Sequence, residues 1–230
     1  MREAILRNTP GVSRNFGPPR DCAVVFDIGG VLLDWDPRHL FREVIADEDT
    51  REWFLREVCS PAWNLRQDKG RSWADAAAEA IGRHPEHESW IRTYDERWIE
   101  TIGGVDAEVV AVVRELRRNG VPVYALTNYS AEKWVLTREH IDVLDEFDGV
   151  VVSGEERVAK PDERIYRILL ERHGLDPART FFTDDVAANV DAARAVGIDA
   201  VRFTGVTELR AHLAKRGLIA EEPVDERPGV

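Results

Sequence analysis

Four stretches of the chain end an apolar run on residues able to do chemistry. In Ala23-Val24-Val25-Phe26-Asp27-Ile28-Gly29-Gly30-Val31-Leu32-Leu33 a carboxylate follows four apolar residues, and a glycine pair follows the carboxylate. Neither Gly29 nor Gly30 carries a side chain into the loop, so backbone there can approach a ligand or metal closely. Leu126-Thr127-Asn128 offers a hydroxyl and nearby backbone N–H groups, which can hold a phosphoryl oxygen without adding negative charge. Ala159-Lys160-Pro161 offers an ammonium that would offset the charge of Asp27 and of a phosphoryl group, with Pro161 opening the next helix. Phe181-Phe182-Thr183-Asp184-Asp185 ends a buried run on two carboxylates. Such a pair is costly unless a cation neutralises it, and hard oxygen donors point to Mg²⁺. Each feature also has a plainer reading: a turn or cap at Thr127-Asn128, a solvated surface lysine at Lys160, a helix cap at Asp185.

An apolar run bounded by glycines reads as a fully buried strand. In open α/β sheets ligands bind beyond the carboxyl ends of such strands, so the first strand delivers Asp27 to the mouth of a site. Later in the chain, strand patterns at Val121–Leu126, Gly149–Val152, Thr180–Thr183 and Asp199–Phe203 alternate with helix patterns at Asp106–Arg118, Ala131–Arg138, Asp162–His173 and Ala187–Val196. Strands separated by helix-length segments imply right-handed βαβ units. The fold class is therefore α/β, a doubly wound, Rossmann-like, mostly parallel sheet.

Between the first strand and this alternation the composition changes. Tryptophans at 35, 53, 63, 73, 90 and 98 are interleaved with charges, and no strand-like run is expected there. Residues 35–104 read as a helical cap inserted after the first strand, with 21–34 and 105–217 forming the α/β core. Ser72 is the expected N-cap of a helix from Trp73, with Asp75 in the capping-box position. Trp90, Ile91, Tyr94, Trp98 and Ile102 form one apolar stripe, either a small helical core or the lining of a substrate pocket. His84 and His87 have metal-like spacing but no third ligand nearby, which favours surface histidines. Residues 1–20 and 218–230 read as flexible tails.

The 230 residues, 43% hydrophobic, suffice for such a core and cap. A net charge of −12 argues against nucleic acid and acidic membrane surfaces as partners. Cys22 and Cys59 are too few for a disulfide framework. No apolar run approaches the ~18 residues of a membrane span, and no signal-peptide core is evident. These features point to a cytoplasmic protein acting on a small molecule, with the oligomeric state open.

Taken in order and spacing, the four stretches resemble the four motifs of the haloacid dehalogenase superfamily. The resemblance covers residues 23 to 203. It implies Asp27 as nucleophile, Thr127 and Asn128 as phosphoryl contacts, and Lys160 as the charge-balancing lysine. Asp27, Asp184, Asp185 and the Gly29 carbonyl are the implied Mg²⁺ ligands. Asp27-Ile-Gly-Gly-Val-Leu-Leu-Asp-Trp-Asp36 together with Lys160-Pro-Asp-Glu-Arg-Ile-Tyr166 looks closest to a bacterial subgroup that includes α-glucose-1-phosphate phosphatases. A small phosphorylated metabolite, such as a sugar phosphate, is the implied substrate, hydrolysed through an aspartyl phosphate.

Phosphatases of this superfamily usually carry a second Asp where this chain has Gly29. That Asp protonates the departing alcohol, help worth about 10²–10⁴ in rate. Asp34, Asp36 or Asp68 could replace it, or the substrate could have a leaving group that needs less protonation. Two rivals remain at this level. A 2-haloacid dehalogenase needs no acid but gives the Asp184-Asp185 pair no role, and a phosphometabolite-binding module would have kept the fold without turnover.

Overall fold

The computed structural model describes residues 22–220; the expected arm at 1–20 and residues 221–230 of the expected tail lie outside the described residues. In chain order the main elements are β1 (Ala23–Phe26), β2 (Leu33–Trp35), α1 (Arg38–Val44), α2 (Glu48–Trp53), a π-helical turn (Phe54–Val58), α3 (Pro61–Gln67), α4 (Trp73–Arg83), α5 (Glu88–Glu96) and β3 (Ile102–Val105). Then follow α6 (Ala107–Arg118), β4 (Val123–Thr127), α7 (Ala131–Arg138), β5 (Gly149–Val152), α8 (Ser153–Glu156), α9 (Glu163–His173), β6 (Thr180–Asp184), α10 (Ala187–Ala195), β7 (Asp199–Arg202) and α11 (Val206–Lys215).

Five strands form a parallel sheet in the order β5-β4-β1-β6-β7. β1 lies at its centre, and all four of its residues are buried. Because side chains alternate along a strand, Val24 and Phe26 enter one hydrophobic cluster while Val25 enters the other with Leu126 and Phe182. Burial on both faces explains why β1 reads as a continuous apolar run. The register pairs Phe26 with Ala125 of β4 and Thr183 of β6, so these three strands end side by side.

Local chemistry sets the helix boundaries. Asp106 caps α6 by accepting from the Glu108 and Val109 N–H groups, and Ser72 caps α4 by accepting from the Asp75 N–H at 3.1 Å, as expected. The helix expected from Asp162 begins one residue later, because Asp162 is itself the N-cap and accepts from the Arg164 N–H. Pro161, joined to Lys160 by a cis peptide bond, precedes that cap and does not open the helix. The C-terminal tail expected from residue 218 also starts too early: Leu218 and Ile219 are buried, and the Leu218 carbonyl accepts from Asn119 Nδ2.

The segment between β1 and α6 is helical except at its edges. There β2 and β3 pair antiparallel, with Leu33 opposite Val105 and Trp35 opposite Ile102. The expectation of no strand in this segment fails because both crossings of the chain pass through one narrow place and satisfy each other's backbone groups. Its aromatics mostly form a core. Trp73, Tyr94 and Trp98 are buried, with ring centroids 5.0 Å apart for Trp73–Trp98 and 5.5 Å for Tyr94–Trp98. His84 and His87 pack against Trp53, and His87 stacks on Trp90 at 4.7 Å.

Candidate active site

Asp27 is the first residue past β1, fixed by its own N–H donating to the Thr183 carbonyl at 2.9 Å. Its Oδ1 accepts from the Ile28 N–H at 2.7 Å and lies 2.8 Å from Lys160 Nζ. Asp184, the last residue of the neighbouring β6, places Oδ2 at 2.6 Å from the same ammonium. The third donor bond of Lys160 goes to the Leu126 carbonyl of β4, at 2.9 Å. Three adjacent strand ends thus converge on one buried lysine, which is not a solvated surface residue.

Asn128 holds that lysine in place. Its Oδ1 accepts from the Lys160 N–H at 2.8 Å and its Nδ2 donates to the Lys160 carbonyl at 3.0 Å. The side chain of Asn128, expected as a phosphoryl contact, is therefore occupied as a backbone clamp, leaving its N–H as the group able to meet an oxyanion. The Thr127 hydroxyl is buried without a hydrogen-bond partner among the described residues, a state shared by Thr183. An unsatisfied buried hydroxyl costs about 1–3 kcal/mol, which a ligand oxygen at Thr127 would relieve.

Asp185 does not cap α10; Val186 occupies that position, and Asp184 Oδ1 accepts from the Val186 N–H at 2.8 Å. Freed from capping, the Asp185 carboxylate joins a trio with Asp27 and Asp184, one oxygen of each lying within 4.8 Å of the others. Gly30 makes this approach possible. At φ +75° it adopts a conformation that favours glycine, and a Cβ there would stand 2.6 Å from Asp185 Oδ2. Gly29 is different: its φ is not positive, and a Cβ there meets nothing within 4 Å.

The charges do not balance. Burial pushes the Asp27 carboxyl up to about 8, against the pull of Lys160, and Asp184 pushes in the same direction. Burial and the charge of Asp184 likewise raise Asp185. Lys160 is held above its ordinary range: burial opposes its charge, but Asp27 and Asp184 outweigh that. One ammonium cannot neutralise three carboxylates in a low-dielectric pocket. A divalent cation with a preference for hard oxygen ligands fits this donor set.

Sequence reasoning missed Asn189. Its Nδ2 lies 3.0 and 3.1 Å from the two Asp184 oxygens, and its carbonyl accepts from the Tyr166 hydroxyl at 2.7 Å. The signal was available, since a residue in the first turn of the helix after a strand-end Asp faces back towards it. The three candidates for the missing acid separate clearly. Asp34 is exposed and 3.0 Å from His39 Nε2, and Asp36 accepts from the Arg38 backbone and guanidinium. Asp68 is buried, and its Oδ2 accepts from Asn64 Nδ2.

The model of the haloacid dehalogenase-like hydrolase family matches residues 23–197, a span containing every one of these site residues. The chain is a haloacid dehalogenase-like hydrolase. Among its relatives in this family, the sesquiterpene phosphatase astK of Aspergillus oryzae is 31% identical over 79% of the chain and 89% of that protein. The phosphorylated carbohydrates phosphatase of Thermotoga maritima is 23% identical over 78% of the chain and 83% of that protein. The hydrolase also shares its fold with the family enzyme bt-2542 of Bacteroides thetaiotaomicron, solved as a magnesium complex, at a TM-score of 0.64 and 22% identity, covering 80% and 94% of the two chains. Among the described residues, no helix is long and apolar enough to cross a membrane.

Proposed function

We propose that this hydrolase is a phosphatase acting on a small phosphorylated metabolite, a sugar phosphate being the favoured class, and that Asp27 is its nucleophile. The observation that carries the reading is the convergence of Asp27, Lys160, Asp184 and Asp185 at the ends of neighbouring strands. Phosphatases of phosphorylated carbohydrates and of a sesquiterpene among the relatives support it.

In this scheme Asp27 Oδ attacks phosphorus in line with the departing oxygen, forming an aspartyl phosphate that water then hydrolyses. Lys160 balances negative charge beside the transferring group, and the Thr127 hydroxyl with the Asn128 N–H orients a phosphoryl oxygen. Asp27, Asp184, Asp185 and the Gly29 carbonyl would hold the Mg²⁺, which when bound supplies neutralisation of the phosphoryl charge. Residues 35–104 would act as a cap that excludes bulk water and selects the alcohol portion. A cytoplasmic location and a small-molecule substrate suit the acidic surface better than nucleic acid or membrane would. Dehalogenation is disfavoured because it leaves the charge of Asp184 and Asp185 without a task.

The test is phosphate release from a panel of phosphate monoesters with Mg²⁺ or EDTA, for wild type and Asp27→Asn. Release by the wild type with Mg²⁺, and none by the variant, is expected. Turnover retained in Asp27→Asn removes the nucleophile assignment.

A further inference from the structure

Gly29 leaves the proposed phosphatase without its usual proton donor, and the inserted segment holds a buried carboxyl close to the loop that follows Thr127. The loop that follows α3 presses on the core. A Cβ on Gly70 would lie 3.0 Å from the Gly154 carbonyl, and Gly154 in turn donates its N–H to the Tyr129 carbonyl. Beside this contact lies Asp68, the C-cap of α3, whose carboxyl faces the backbone N–H of Ser130. Ser130 lies two residues past Asn128, the side chain that clamps Lys160. Asp68 thus joins the inserted segment to the loop that leads from Thr127.

We infer that Asp68 donates the proton to the departing alcohol oxygen, replacing from the inserted segment the acid that position 29 lacks. The inference rests on the phosphatase reading. Three observations carry it together: a buried carboxyl whose side-chain partner is the neutral Asn64, open space around Gly29, and pairing of Asp34 and Asp36 with the basic side chains of His39 and Arg38. Burial lifts the Asp68 carboxyl to about 7 against the hydrogen bonds from Ser130 and Asn64, so it still carries its proton in part at neutral pH. Two phenols feel its charge, Tyr94 of α5 and Tyr129 of the β4–α7 loop. Asn64 Oδ1, buried and without a partner among the described residues, adds an acceptor beside the acid for a hydroxyl of the substrate.

The step balances. As the bond from Asp27 to phosphorus forms and the bond from phosphorus to the alkyl oxygen breaks, the Asp68 proton passes to that oxygen, and the alcohol leaves neutral. The Asp68 carboxylate then takes a proton from the water that attacks the aspartyl phosphate, restoring both side chains and releasing phosphate.

The experiment compares kcat/KM for a simple alkyl phosphate with that for p-nitrophenyl phosphate, whose phenolate leaves unprotonated, in wild type, Asp68→Asn and Asp68→Asn/Gly29→Asp, all with Mg²⁺. Asp68→Asn should lose about 10²–10⁴-fold on the alkyl ester and stay within about threefold on the aryl ester. Adding Gly29→Asp, whose side chain has room, should return much of the alkyl activity. Equal losses on both esters, or no loss on either, overturn the role of Asp68 while leaving the phosphatase reading in place. A wild type inert on both esters overturns the phosphatase reading itself, and the inference with it.

Discussion

Replacing Lys160 by Met would remove the ammonium that bridges Asp27 and Asp184 while keeping most of the volume of the stem. The wild-type ammonium makes contacts of 2.8 Å to Asp27, 2.6 Å to Asp184 and 2.9 Å to the Leu126 carbonyl, and its side chain is 1% exposed. Removing one member of a buried charge cluster costs about 3–5 kcal/mol. In a chain of this size each kcal/mol moves Tm by about 2–4 °C, so the metal-free variant should melt about 6–20 °C lower at pH 8. The pH dependence has a definite sign. Asp27 has its folded value raised from 3.8 to about 8, so between those values the folded state binds more protons than the unfolded one. Stability then falls as pH rises through that window. Without Lys160 to oppose burial the rise is larger, so the deficit of the variant should widen as pH rises past 8, where wild-type Asp27 has released its proton and Asp27 of the variant still holds one. Mg²⁺ at pH 8 should recover part of it by binding the folded state. Thermal melts of both proteins at pH 5, 8 and 9.5, with EDTA or Mg²⁺, make the measurement. A loss under about 1 kcal/mol at pH 8, the range of an exposed ion pair, or an equal loss at pH 8 and 9.5 would refute the reasoning.

Asp185→Ala should weaken Mg²⁺ binding and phosphate release together, read by calorimetric titration and turnover; wild-type activity unaffected by EDTA would remove the metal site. Gly30→Ala should destabilise by about 1 kcal/mol or more, because φ +75° disfavours a side chain. Its Cβ would also push Asp185 aside and reduce Mg²⁺ affinity. Gly29→Ala, where a Cβ meets nothing within 4 Å, should leave the melting curve nearly unchanged and serves as the control.

The sheet was legible because β1, β4 and β6 are buried on both faces and must therefore be written as apolar runs ending in polar residues. Asp27, Lys160, Asp184 and Asp185 share that logic: each stands where a strand or its following loop stops. What could not be read was which partner a polar side chain takes. Asn128 was expected to face a ligand and faces the Lys160 backbone, a contact across 32 positions of chain that no local pattern records. The β2–β3 pairing is hidden for a related reason. Ile102-Gly103-Gly104-Val105 carries little apolar pattern, and its strand exists because Leu33-Asp34-Trp35 is there to pair with it.

That pairing also bears on how product would leave. The polypeptide crosses between sheet and insertion twice, and the two crossings are hydrogen-bonded to each other, so they bend together or not at all. Relative movement is reduced to a swing about one short ribbon. That swing would have to break the bond from Trp73 Nε1 to Ser130 Oγ at 3.0 Å and the bond that the Lys133 ammonium donates to the Asp95 carbonyl at 2.8 Å. One short ribbon with polar contacts to break would make opening a discrete event. The dwell time of the alcohol product would then be set by how often those few polar contacts release, and Trp73→Phe would shorten it without touching any residue at the strand ends.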